Sequence, residues 1–266
     1  MPSETVITRK VVAESNGTLP EPDISHLVID DEAPVDNIVS EKQMRLLTEP
    51  LYASWDGPGS QRPFVAFADV AIYYDIALPP IVPDVMLSLD VTFGQPITDK
   101  KHLSYFVWEF GKPPDLAIEI LSPTKGGELT SKLAIYQRAN VRFYVVFDPL
   151  GTTIPAKIRA FALHGDGYLP LNRPWFPALG LGLRRWAGVY EQLDGDWMRW
   201  CRDDGSLIPT GAERATQERE RADHERERAT QERERADHER ERATQERERA
   251  ERLAAQLRAL GIDPDA

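Results

Sequence analysis

Two carboxylates and one lysine stand out in this 266-residue sequence by where they fall: Asp84, Glu119 and Lys132. Glu119 sits in the middle of an apolar run, Asp115-Leu116-Ala117-Ile118-Glu119-Ile120-Leu121, that reads as a strand. A carboxylate bracketed by isoleucines is costly to bury unless it is paired or binds a cation. Strand alternation puts Asp115, Ala117, Glu119 and Leu121 on one face. The competing reading is a surface Glu on the open face of an edge strand. Lys132 falls in a helical pattern with Leu129, Leu133 and Tyr136, and at about 100° per residue it borders their apolar stripe. There its ammonium either snorkels out to water or reaches a carboxylate on the neighbouring strand, Glu119 being the obvious candidate. Asp84 opens a strand in the dipeptide Pro83-Asp84, a common arrangement that draws its weight from the other two. Two carboxylates on adjacent strands, expected about 4–6 Å apart, suit Mg²⁺ or Mn²⁺, since Mg²⁺ takes oxygen ligands and keeps several waters. Such an ion can activate a water and polarise a phosphoryl oxygen while a lysine stabilises the developing charge.

The periodicities of the chain predict the elements that must position these residues. Ser40-Glu41-Lys42-Gln43 has the capping-box form, and Met44, Leu47 and Leu51 follow at helical spacing. This predicts a helix over about Glu41–Tyr52, with Pro50 able to end it early. Strands are expected at Asp69–Tyr74, Pro83–Phe93, Tyr105–Phe110 and Asp115–Leu121. After Ser122-Pro123 the period lengthens. A helix over Glu128–Ala139 is stopped by Asn140, and the apolar strand Val141–Phe147 is closed by Asp148-Pro149. Strand, helix, strand in this order predicts a crossover, hence a parallel pair within a mixed sheet. Residues 155–208 read as hairpins on the sheet's edge, packed by Trp175, Trp186, Trp197 and Trp200. Lys125-Gly126-Gly127 is a turn too short to cradle phosphates, and the five histidines show no zinc spacing.

The ends differ from this middle. Residues 1–36, rich in Pro, Asp, Glu, Ser and Thr, read as a disordered leader to a globular domain over 37–210. From Gly211 the composition changes. The block RATQERERADHERE occupies Arg214–Glu227, repeats identically over Arg228–Glu241 and begins again at Arg242. Fourteen residues make two heptads, so 211–262 is predicted as one continuous helix about 70 Å long at 1.5 Å per residue. A ladder from Arg214, Glu218, Arg221 and Glu225 onward to Arg249 sets opposite charges against one another along one stripe. A coiled-coil seam would carry Ala at one position and Glu at the other until Leu253, so an isolated helix and an oligomerising coil both stay open. Leu253, Leu257 and Leu260 form the one apolar stripe, and Gly261 caps the end. With its charges satisfied internally, residues 211–250 are expected to be removable without changing the domain's stability. The formal net charge is -11, of which -3 falls in the tail and -8 on the first 210 residues. That balance opposes tight non-specific binding to DNA by the chain alone. The single Cys201 excludes an internal disulfide, and no apolar run approaches membrane-helix length, so a cytoplasmic protein with no membrane partner is expected.

Taken together, Val82-Pro83-Asp84-Val85, Pro114-Asp115-Leu116-Ala117-Ile118-Glu119-Ile120-Leu121-Ser122-Pro123 and Lys132-Leu133-Ala134-Ile135-Tyr136 resemble the Uma-two family of restriction endonuclease-like proteins in the PD-(D/E)XK nuclease superfamily. The resemblance covers roughly residues 40–190, and the end Leu260-Gly261-Ile262-Asp263-Pro264 is also similar to tails of such proteins. It implies an α/β fold with a restriction-endonuclease-like mixed β-sheet flanked by helices, here followed by the long charged C-terminal helix. It also implies a divalent metal, Mg²⁺ or Mn²⁺, and hydrolysis of phosphodiester bonds with DNA as substrate. Carried over by position, Asp84 is the motif's first acid and Glu119 its second; both would ligate the metal and, with Lys132, form the catalytic set. A strict motif places lysine at 121, where this sequence has Leu121. The superfamily tolerates migration of the lysine to the following helix, where Lys132 lies. Asp115 is an additional candidate acid, Glu41 and Glu49 are weaker ones, and Lys125 is the substitute should Lys132 fail. The rival reading is a catalytically silent nuclease-fold module whose helix recruits a partner or forms a homo-oligomer. A third makes the helix the main product and the globular part its anchor.

Overall fold

Five-residue apolar runs, too short for helices, become the strands of a mixed six-stranded sheet. The computed structural model describes residues 23, 37–59, 62–94, 96, 98–122, 127–165 and 167–259. The expected leader, apart from Asp23, the turn at Lys125 and the end at Leu260 and Gly261 lie outside the described residues.

In sequence order the sheet's strands are β1 (Phe64–Ala68), then, after the short β2 (Ile72–Tyr73), β3 (Val85–Leu89). After β4 (Tyr105–Phe106) come β5 (Leu116–Ile120), β6 (Phe143–Phe147), β7 (Ile158–His164) and β8 (Gly167–Pro170). Their spatial order is β1-β3-β5-β6-β7-β8, with β5 and β6 parallel and every other neighbouring pair antiparallel. The predicted crossover is therefore present. Strand β1 is a correction: the first strand was expected at Asp69–Tyr74, yet Phe-Val-Ala-Phe-Ala pairs with β3 and only Ile72–Tyr73 of the expected run is strand, pairing with β4. The run expected as strand over Tyr105–Phe110 divides into β4 and the helical turn α2 (Val107–Phe110), which ends at the left-handed Gly111.

Alternation sorts the central strands onto two layers. Val85, Leu87, Leu116, Ile118 and Ile120 pack with Met44, Leu47 and Leu51 of α1 (Ile38–Ser54), whereas Ala117, Tyr144 and Val146 pack with Tyr136 of α3 (Ser131–Arg138). Helix α1 begins at Ile38, three residues before the expected start at Glu41: Asn37 is its N-cap and accepts from the Ser40 amide at 2.9 Å. Pro50 lies inside this helix and does not end it. Burial of Leu46, Leu47 and Leu51, at about 1.5–3 kcal/mol each, outweighs a proline cost of about 3 kcal/mol. Trp200 also donates Nε1–H to Leu47 O at 2.7 Å, in the turn that Pro50 disturbs. Helix α3 starts later than expected, because Glu128–Thr130 form a turn behind Gly127, whose carbonyl accepts from the Lys132 amide at 2.9 Å. Asn140, with φ 57°, stops the chain beyond it as predicted.

Part of the C-terminal hairpin region extends the sheet's edge as β7 and β8. The rest, β9 (Trp175–Phe176), β10 (Leu181–Tyr190) and β11 (Leu193–Cys201), is a separate antiparallel sheet that covers the α1 layer. Gln43 clamps it by exchanging two hydrogen bonds with the Met198 backbone, at 2.8 and 2.9 Å. Trp197 and Trp200 are fully buried there, in keeping with a packing role.

Helix α4 (Gly211–Ala259) is continuous over 49 residues. Its first turn belongs to the domain's packing: buried Arg199 meets Glu213 at 2.5 Å, Gly211 N donates to Glu49, and Arg214 donates to Ala53 O of α1. The expectation that 211–250 is removable at no cost therefore does not hold for this turn. Beyond it, the described residues pair as Arg214–Glu218, Arg226–Asp223, Arg240–Asp237, Arg247–Glu251 and Arg252–Glu248, so most of the expected ladder gives way to other i,i+3 and i,i+4 partners. All of these are solvated and are worth a few tenths of a kcal/mol each at most, roughly 0.3–0.5. No helix among the described residues is long and apolar enough to cross a membrane.

Candidate functional site

Glu119 is the fourth residue of β5, and its place in the alternation turns it to the α3 layer, away from Ile118 and Ile120. It is buried at 2% exposure, so the edge-strand reading fails. Both carboxylate oxygens are engaged: Lys132 Nζ donates to Oε2 at 2.8 Å and Tyr136 OH to Oε1 at 2.6 Å. Lys132 and Tyr136 stand four apart on α3, the spacing that puts both on one helical face. The lysine is part-buried and bridges a second buried carboxylate, Glu128 Oε1, at 3.5 Å. The Tyr136 ring stacks on Tyr144 of β6 with centroids 4.8 Å apart, and Tyr144 OH donates to Glu128 O at 2.8 Å. Helix, turn and strand thus meet around one carboxylate.

Asp84 immediately precedes β3. Val85 pairs with Ile118, so one further step of this antiparallel register sets Asp84 opposite Glu119, on the same face. Opposed residues have Cβ atoms about 4.5–5.5 Å apart. The Ile120 amide donates to Asp84 Oδ2 at 2.5 Å, fixing this carboxylate at the C-terminal end of β5. The three residues singled out in the sequence are therefore brought together.

The charges in this small volume act on one another. Burial pushes the Glu119 carboxyl up, Lys132 pulls it down and Asp84 pushes it up again, leaving it near about 7. Burial pulls the Lys132 ammonium down, but Glu119, then Glu128 and Asp84, more than reverse this and hold it above its ordinary value. Burial and the Glu119 charge keep the Tyr136 phenol well above its own ordinary value, so it keeps its proton and donates a hydrogen bond to Glu119.

The other candidates lie elsewhere. Asp115 accepts from the Leu89 amide at 2.8 Å and pairs with Lys112, tying β3 to the start of β5. Glu41 pairs with Arg45 at 2.6 Å, and Glu49 accepts from Gly211. Glu128 and Tyr136 were missed as functional residues: one counted as a helix start, the other as part of the apolar stripe. The signal for both was their spacing of four from Lys132.

Among the described residues no group of three or more His, Cys, Asp or Glu side chains is arranged to hold a metal ion. The residues present still fit a divalent cation of the Mg²⁺ type, which is commonly held by one or two carboxylates, with waters and substrate oxygens completing the shell. Asp84 and Glu119 supply two hard oxygen donors, and the upward push of Asp84 on Glu119 is the repulsion that a cation between them would relieve.

A mixed α/β sheet flanked by helices, with two carboxylates and a lysine gathered where β3 meets β5, is a restriction-endonuclease-like architecture. Residues 20–172, more than half of the chain, match the model of the Uma2 family, described as "Putative restriction endonuclease", and the chain belongs to that family. The membership points to nuclease activity. No curated protein matches this sequence.

Proposed function

We propose that this protein is a Mg²⁺- or Mn²⁺-dependent DNA endonuclease in which Asp84 and Glu119 hold the cation and Lys132 stabilises charge. The observation that carries the reading is the buried Glu119 carboxylate, opposite Asp84 and 2.8 Å from the Lys132 ammonium. When bound, the cation would supply an acidified water and a polarised phosphoryl oxygen. The protein's own residues do the rest. Asp84 is held by the Ile120 amide and Glu119 by Tyr136, so neither carboxylate has to be ordered during the reaction. Lys132 keeps its proton and places a compact positive charge beside the carboxylates, where the negative charge of a phosphodiester develops on attack.

Plasmid cleavage at low salt with Mg²⁺ or Mn²⁺ tests this. Glu119→Gln is expected to lose at least about a hundredfold in rate, the scale of one electrostatic partner in a water-poor site. Lys132→Met should abolish cleavage while remaining folded. Lys132→Arg should lose most of the rate, because a planar fork replaces a point charge. Cleavage of undiminished rate in Glu119→Gln and Lys132→Met would sink the reading. Absence of cleavage in the wild type as well would favour a silent nuclease-fold module, for which the exposed α4 is the natural contact surface.

A further inference from the structure

Glu128 has no part in the scheme above, yet it is a carboxylate with only 4% of its side chain exposed, 3.5 Å from the same ammonium that neutralises Glu119. A buried acid needs a reason, because a carboxylate is costly to take out of water and an apolar side chain would fill the same space without that cost. Its backbone already has a task, since Glu128 O accepts from Tyr144 OH, but that leaves the carboxylate unexplained.

The geometry around Lys132 supplies the explanation. Without a divalent cation, Lys132 is the counter-charge of Glu119, at 2.8 Å. A cation on Glu119 and Asp84 competes for the same oxygen and repels the ammonium. Lys132 is part-buried, with 32% of its side chain exposed, so moving the ammonium wholly into water would give up its partly buried stem and its approach to Glu128. A second buried carboxylate within reach removes the conflict.

We propose that Glu128 is a positioning residue that takes over the Lys132 ammonium when a divalent cation occupies Glu119, so that cation and lysine share the site. The inference rests on the assignment of Asp84 and Glu119 as cation ligands. Glu128 acts through Lys132: it sets how tightly the cation binds by fixing where the lysine's charge goes. Because it stands one turn before Lys132, behind the Gly127 turn, the ammonium needs only a side-chain swing to change partner, with no movement of the backbone.

The test is Mn²⁺ binding to the full chain by titration calorimetry without DNA, near pH 8, for the wild type, Glu128→Gln, Lys132→Met and the double variant. Glu128→Gln is expected to weaken Mn²⁺ by about tenfold or more, because the ammonium it would hold is left within a few ångströms of the cation. Lys132→Met is expected to tighten it, by removing the competing cation. In the Lys132→Met background, Glu128→Gln should cost no more than about twofold, since the lysine it manages is gone. Glu128→Asp, which keeps the charge, should stay within about threefold of the wild type, and Glu128→Met replaces Glu128→Gln in the cycle if the amide fails to fold. Unchanged Mn²⁺ affinity in Glu128→Gln overturns the proposal. So does a loss of equal size in both backgrounds, which would mean that Glu128 acts on the cation by its charge alone. A wild type that binds no Mn²⁺ overturns the ligand assignment itself, and the proposal with it.

Discussion

Glu119 is the residue on which burial, pairing and repulsion act together, and its protonation is coupled to folding. Its carboxyl is raised from 4.5 to about 7, so the folded chain holds the proton more tightly than the unfolded chain between those values. The stability this confers is fully present below pH 4.5 and is lost as the pH rises through 7, up to an amount on the order of 3 kcal/mol. Glu119→Gln removes the titration. Denaturant melts at pH 5 and pH 8 should therefore show the wild type losing clearly more stability between the two than the variant does. Parallel losses would show that Glu119 is ionised at both pH values. How much of the site was legible follows from the same residue. An acid in an apolar strand and a lysine beside an apolar stripe were each out of place, and each is explained by the other. Tyr136 carried no such anomaly, because its ring fits the stripe and only its hydroxyl reaches Glu119.

At the scale of elements, the sequence was readable where periodicity was long and ambiguous where packing chose among short runs. The β5–α3–β6 unit appeared as expected because two apolar runs with a change of period between them admit few other topologies. Strand β1 was missed because Phe64–Ala68 does not alternate in polarity; its status comes from pairing with β3, which is a long-range fact. The start of α1 was misplaced for a local reason: Ser40 has the form of a cap, but Asn37 accepts the hydrogen bond. Asn37→Ala should accordingly lower stability by about 1 kcal/mol in denaturant unfolding. A change below about 0.3 kcal/mol would mean that another group caps the helix.

Across the whole molecule, α4 has a base in the domain and a shaft outside it. A chain ending at 218 keeps Glu213, Arg214 and Glu218 and should melt within about a degree of the full chain, because the lost surface pairs are worth little. A chain ending at 210 leaves buried Arg199 without its carboxylate and should melt lower, by roughly 5 °C for a loss of about 2 kcal/mol. Equal melting of the two would show that the base contributes nothing. Whether shafts associate is a separate matter, read by sedimentation of the wild type against a variant with Leu253, Leu257 and Leu260 changed to Ser. An oligomer lost in the variant identifies a coil, and a monomer in both identifies an isolated helix. The identical 14-residue blocks of the shaft have one further consequence. A block spans about 21 Å and advances the helix by just under four turns, so adding or removing one would carry the distal end about 21 Å along the axis and about 40° around it. The anchored base would remain the same, and so would the chemistry of the tip. Reach is thus a quantity that the gene for this protein can alter in whole steps, by duplicating or losing a block, without redesigning either end.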